Sequence, residues 1–108
     1  MSALLATIVS LLSIGSPVAT GHVLPAEVVV VEERGPVALT GFECVSIGRS
    51  ATVTRVCRDA DGRRAIAEID GRHRAYCGLP AGLIDAWLGA RSMGRFHAAH
   101  LAGRHDCG

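Results

Sequence analysis

Five side chains that could bind a metal or move a proton fall within eleven residues near the C-terminus: His97, His100, His105, Asp106 and Cys107. On a helix, residues three apart share a face, so His97 and His100 have acceptable metal-ligand spacing. A cysteine closed into a disulfide cannot also be a thiolate ligand, and His105 lies beyond Gly103, where a helix through this stretch ends. The cluster therefore reads as packed or solvated histidines, with metal binding as a lesser alternative and no metal site or cofactor assigned. A Cys-His nucleophile is disfavoured too, because nothing in the sequence marks a low-pKa thiol and four cysteines pair evenly. No two carboxylates stand at a spacing suited to general acid and base work. Asp85, in an apolar stretch, is most simply solvent-facing. The expectation is a chain without catalysis.

The second possible chemistry is recognition of anions. All 11 basic residues are Arg, and ten of them lie in residues 49–108 with six acids, whereas residues 1–48 carry one Arg and four acids. Arg55, Arg72 and Arg74 fall on alternating segments with Tyr76, and such a surface could hold phosphates and stack a base. Asp59, Asp61 and Asp70 dilute that patch. Phe42, Tyr76, Trp87 and Phe96 are the whole aromatic inventory, and Trp87 and Phe96 are expected in the core. With a formal charge of only +1 there is no bulk electrostatic argument for nucleic acid, which remains the alternative function.

The compartment follows from the opening segment and the cysteines. MSALLATIVSLLSIGSPVATG has no charged side chain and is apolar from Ala3 to Ile14, then meets Gly15, Ser16 and Pro17. An apolar core of about a dozen residues fits a signal h-region and falls short of the roughly 20 needed to span a bilayer. Residues 1–21 are read as a signal peptide, which leaves no membrane association after cleavage. Cys44, Cys57, Cys77 and Cys107 contain no CxxC pair, which speaks against a zinc ribbon or a thioredoxin-like site. An even count in a short exported chain indicates a disulfide framework and a periplasmic or secreted location.

The positioning elements begin at residue 44. Residues 22–43 read as an extended lead-in or an edge strand, because Pro25 and the Arg34-Gly35-Pro36 break bracket the run EVVVVEE. Three strands follow at 51–57, 64–69 and 73–77, separated by Asp59-Ala60-Asp61-Gly62 and Asp70-Gly71, which are turn signals with Gly where φ is positive. Pro80 suits the first position of a short helix over AGLIDAWLGA, whose Leu83, Ile84, Trp87 and Leu88 form one apolar face. Ser92 is a candidate N-cap and Gly94 a break, after which RFHAAHLAG forms a second short helix carrying Phe96 and Leu101. The fold class is α+β: a three-stranded antiparallel β-meander packed against two short C-terminal helices and stapled by disulfides. In that meander Cys57 and Cys77 lie on the outer strands, about 9 to 10 Å apart, too far for a bridge. Two pairings remain open: Cys44 with Cys57 and Cys77 with Cys107, or Cys44 with Cys77 and Cys57 with Cys107.

The order of several residues resembles the KTSC domain, a module of about sixty residues found at the C-terminus of some lysyl-tRNA synthetases and alone in bacterial proteins. The resemblance is carried by Arg49-Ser50, by Gly71-x4-Tyr76-x2-Leu79-Pro80, by Ala90-x-Ser92-x-Gly94-x-Phe96, and by Leu101. It assigns residues 44–108 to a KTSC-like domain, and SMGRF with HDC near the end is similar to small exported members with extra cysteines. Three positions depart from the family's pattern. Its Tyr-x-Tyr is here Arg74-Ala75-Tyr76, its polar and basic residues in the last helix are Ala98 and Ala102, and an aromatic beyond them is His105. The resemblance implies a family without a characterised activity, for which RNA binding has been suggested by its synthetase association; fold does not fix function. The reading that combines these points is a small exported binding or structural module of the bacterial envelope, with an unidentified protein or envelope partner.

Overall fold

The computed structural model describes residues 26–107. The signal segment expected at 1–21 lies outside the described residues. Eight elements follow in order: β1 (Val28–Val31), β2 (Gly35–Ala38), β3 (Glu43–Ser46), β4 (Val53–Arg58), β5 (Ala65–Ile69), β6 (Arg72–Tyr76), α1 (Leu83–Leu88) and α2 (Met93–His100). All strands belong to one sheet with the order β2-β1-β6-β5-β4-β3. Among the described residues no helix is long and apolar enough to cross a membrane.

The expected meander is present as β4, β5 and β6, but it is the middle of a six-stranded sheet rather than the whole of one. The Val run is no lead-in and no edge: β1 pairs antiparallel with β2 and parallel with β6, where Val31 meets His73. Four identical residues hide the alternation that marks a half-buried strand, yet Val29 and Val31 are buried while Val28 and Val30 are exposed. Pro36 sits in β2, an edge strand, where a missing N–H costs no ladder bond.

Both turns expected in the meander form. Asp70 and Gly71 have φ of 51° and 80°, the two left-handed positions of a tight two-residue hairpin turn, and Ile69 pairs with Arg72 across it. In the longer connection Asp59 Oδ1 accepts from the N–H groups of Arg63 and Arg64, both at 3.1 Å.

A bulge between Val53 and Arg55 decides which residues of β4 face where. Without it, Val53 and Val56 would lie on opposite faces; with it, both are fully buried against the helices. That face gathers Val53, Val56, Ala67, Tyr76, Trp87 and Leu101. The other face gathers Val29, Val31, Leu39, Cys57 and Ile66, so the β1–β2 hairpin curls back over β4 and β5. The Arg55 guanidinium closes the curl by a two-pronged contact with Glu27, at 2.6 and 2.7 Å.

The disulfides are Cys44–Cys57 and Cys77–Cys107, and among the described residues no cysteine is free. The first joins residues directly opposed in β3 and β4. The second ties the tail beyond α2 to the end of β6, where Cys77 N–H donates to the His105 carbonyl at 2.7 Å and Cys107 N–H to the Ala75 carbonyl at 3.3 Å. Of the two pairings left open by the sequence, this is the sequentially local one. Cys57 lies on β4 and Cys77 directly follows β6, with β5 between the two strands, as expected.

Two helix expectations need correction. Pro80 is not the first helical residue: it belongs to a turn in which Leu83 N–H donates to its carbonyl, and α1 starts after Gly82, whose φ is 83°. Gly94 does not break α2 but lies inside it, because a Cβ there would stand 3.2 Å from Thr52 Oγ1. Close packing of the helix on the 50–52 loop would leave a Cβ at this position in tight contact with the Thr52 side chain. Ser92 does cap α2, accepting from Arg95 N–H at 3.2 Å.

Candidate functional site

The polar centre of the molecule lies where β6 meets α2. Along β6, Arg72, Arg74 and Tyr76 share the face turned to the helices, since they pair with Ile69, Ala67 and Ala65 of the same core. Along α2, Met93, His97 and Leu101 recur every four residues and are all buried, so His97 lies on the apolar stripe of its helix. The two elements bring the Tyr76 hydroxyl to 2.6 Å from His97 Nε2. Trp87 of α1 stacks on the imidazole with centroids 5.9 Å apart and meets the Tyr76 ring edge-on at 6.5 Å. Its indole N–H donates to the Met93 carbonyl at 3.1 Å, which fixes α1 against the start of α2.

Burial pushes the Tyr76 phenol above its usual pKa, and burial followed by the Arg74 charge pulls His97 below its own.

Outside this pair lies an open cleft of about 580 Å³ between β6 and α2, lined by Asp70, Arg72, Arg74, His97, Ala98 and Ala102 among others. Arg72 is 3.7 Å from Glu32, while Arg74 is exposed and forms no ion pair among the described residues.

The four residues expected to contact nucleic acid are not brought together. Arg55 lies on the opposite face of the sheet from Arg72 and Arg74 and is engaged by Glu27. Tyr76 is fully buried, so its ring offers no face to a base. Sequence alternation placed these residues on strands without saying which face each would take, and the bulge in β4 is the reason. Other arginines hold the fold: Arg58 reaches Asp85 at 2.9 Å, and Arg63 Nε donates to the Leu79 carbonyl at 2.6 Å. Asp85 is exposed as expected.

The histidine cluster is also dispersed. His97 is held by Tyr76, and His100 packs on Phe96 with centroids 4.4 Å apart. Among the described residues no group of three or more His, Cys, Asp or Glu converges as a metal site would require. The Tyr76-His97 pair was not foreseen. Its signal was present in the four-residue spacing of Met93, His97 and Leu101, which puts a histidine on a buried stripe.

No family model and no curated protein matches the chain. A solved structure does: the crystal structure of a KTSC domain protein from Yersinia pestis, with a TM-score of 0.54 and 20% identity, covering 62% of this chain and 99% of that one. The fold is KTSC-like. Within it, the residues that carry the sequence resemblance serve mainly to position elements. The Arg49 guanidinium donates to the Leu88 carbonyl at 2.8 Å, satisfying the C-terminal end of α1, and Ser50 Oγ accepts from the Thr52 and Val53 N–H groups. Leu79 is fully buried and clamped by Arg63, Tyr76 joins β6 to α2 through His97, Ser92 caps α2, and Gly94 packs that helix on Thr52. Ala98 and Ala102, two of the departures from the family's pattern, line the cleft.

Proposed function

We propose that this chain is an exported, disulfide-stapled KTSC-like module that binds a partner in the bacterial envelope and performs no catalysis. The observation that carries the reading is the closure of all four cysteines into two bridges, Cys44–Cys57 and Cys77–Cys107. Such bridges persist in oxidising compartments and are reduced in the cytosol. The apolar opening segment supports export independently. A binding role is supported by an open cleft whose one buried polar side chain is locked in a hydrogen bond with a phenol, an arrangement suited to a fixed recognition surface rather than to proton transfer. The dispersal of Arg55 from Arg72 and Arg74, and the burial of Tyr76, weigh against RNA. The commitment of His97 to Tyr76 weighs against a metal.

The test is fractionation of the host combined with thiol labelling under denaturing conditions. The expected result is recovery from the periplasm or medium, with no cysteine labelled until a reductant is added. Recovery in the cytosol with four labelled thiols would overturn the proposal.

A further inference from the structure

Among the described residues, β2 and β3 each have one side without a neighbouring strand. The two edges differ. β2 contains Pro36, which has no N–H to offer and blunts that edge. β3 has no proline and pairs with β4 without a bulge, and its Glu43, Val45 and Ser46 are exposed. We propose that the β3 edge is a self-association surface, on which a second copy of this chain adds its own β3 antiparallel to close a symmetric dimer. The two six-stranded sheets then run on as one. This goes beyond the function proposed above and does not depend on it.

The backbone fixes the register. Ile47 N–H donates at 2.9 Å to the carbonyl of Thr54, the residue opposite it. By the alternation of an antiparallel ladder, Glu43 and Val45 also bond toward β4, while Cys44 and Ser46 turn their N–H and C=O groups to the free edge. The Cα atoms of Cys44 and Cys57 are 3.9 Å apart, the closer spacing of a pair that is not hydrogen-bonded, which agrees. A two-fold axis satisfies every outward group of the strand when Cys44 of each copy faces Ser46 of the other. Centring the pair on Cys44 instead would call on Phe42, whose N–H already donates to the Leu39 carbonyl. Centring it on Ser46 would call on Gly48, in a bend beyond the end of the strand.

In the favoured register Val45 lies on the axis, directly opposite itself. Val45 is 42% exposed, and with Val28 and Val30 it makes up the large apolar side chains left exposed among the described residues. Pairing covers it. The charges also fit. Glu43, the one charged residue of β3, comes to the Ile47–Arg49 end of the other copy, acid toward base, and Arg49 forms no ion pair among the described residues. The two Glu43 residues stand about 13 Å apart along the ladder, beyond the screening length of about 8 Å. The Cys44–Cys57 bridge already holds the edge strand to β4, so little ordering is needed before pairing. A four-residue edge covers less area than the interface of a stable dimer, so the association is weak and depends on concentration. Because the contact is isologous and Pro36 blunts the other edge, growth stops at two copies.

The experiment follows sedimentation equilibrium and amide hydrogen exchange of the disulfide-closed protein from about 10 μM to about 1 mM, the range of weak association. A monomer–dimer equilibrium is expected. The Cys44 and Ser46 amides are expected to exchange several-fold more slowly at the highest concentration than at the lowest, while Val45, bonded to β4 in both states, is unchanged. Val45→Lys sets two like charges on the axis and is expected to weaken the dimer at least about tenfold with the thermal midpoint unchanged. Val30→Lys, on the exposed face of β1, is expected to leave it intact. A monomer at every concentration would overturn the proposal. So would a dimer whose Cys44 and Ser46 amides exchange as in the monomer. A dimer lost in Val30→Lys and kept in Val45→Lys would move the contact to the outer face of the β1–β2 hairpin, and species larger than two would contradict the closed geometry.

Discussion

Replacing Cys77 and Cys107 together by alanine tests how the tail is held and what the longer bridge is worth. The bridge closes a loop with a sequence separation of 30, and Cys44–Cys57 closes one of 13. In the chain-entropy treatment these closures stabilise the fold by about 3.6 and about 2.9 kcal/mol. The loops do not overlap, so the terms add to about 6.5 kcal/mol, comparable with the whole stability of a small domain. The longer bridge also pins the segment after α2, which carries fully buried Leu101 and two backbone hydrogen bonds to the end of β6. Both of its cysteines are half-buried, so removing their sulfurs leaves little cavity, and the entropic term dominates. With a urea m-value of about 1 kcal/mol/M, the unfolding midpoint of Cys77→Ala/Cys107→Ala is expected to fall by about 3.6 M. Amide exchange at residues 77 and 107 is expected to lose protection at the same time. A loss below about 1 kcal/mol with those two amides still protected would refute the reasoning, since the tail would then be held by Leu101 packing alone.

Further outcomes follow from the site. Tyr76→Phe leaves His97 Nε2 without its hydrogen-bond partner in the interior and is expected to cost about 1–3 kcal/mol by urea unfolding, and a neutral effect would contradict the hydrogen bond. Ser92→Ala removes the cap on Arg95 N–H and is expected to cost about 1 kcal/mol, with no loss marking the cap as unimportant. His97 is held below its ordinary pKa of 6.5 by burial and by the Arg74 charge, against the opposing pull of Asp70 and Asp106. The folded state therefore takes up this proton less readily than the unfolded chain. The contribution is complete above about pH 6.5 and is lost as pH falls through the folded value, at no more than about 1.4 kcal/mol per pH unit. Urea midpoints between about pH 7.5 and 5 measure it, and a His97→Gln variant with the same slope as wild type would contradict the assignment.

How far the sequence could be read depended on whether the information was local. The strands β4, β5 and β6 were legible because alternation and the Asp70-Gly71 turn are properties of neighbouring residues. Ser92, the apolar face of α1 and the exclusion of a Cys57–Cys77 bridge were legible for the same reason. The position of β1 was not, because four consecutive valines show no alternation and its parallel pairing with β6 joins segments some forty residues apart. Gly94 was misread as a break because a glycine packed closely on Thr52 looks in sequence like one that ends a helix. The site was hidden by the bulge in β4, which sends Arg55 away from Arg72 and Arg74, and by the burial of Tyr76 beneath α1 and α2. Its one legible clue, a histidine on the stripe of Met93 and Leu101, becomes meaningful only when β6 supplies the phenol.

The most direct test of the central claim is the intact mass of the protein from its native host, measured with and without reduction. The account gives a chain lacking about twenty N-terminal residues, whose mass rises by about 4 Da on reduction as two bridges take up four hydrogens. A full-length chain whose mass does not change on reduction would contradict export and the disulfide framework together.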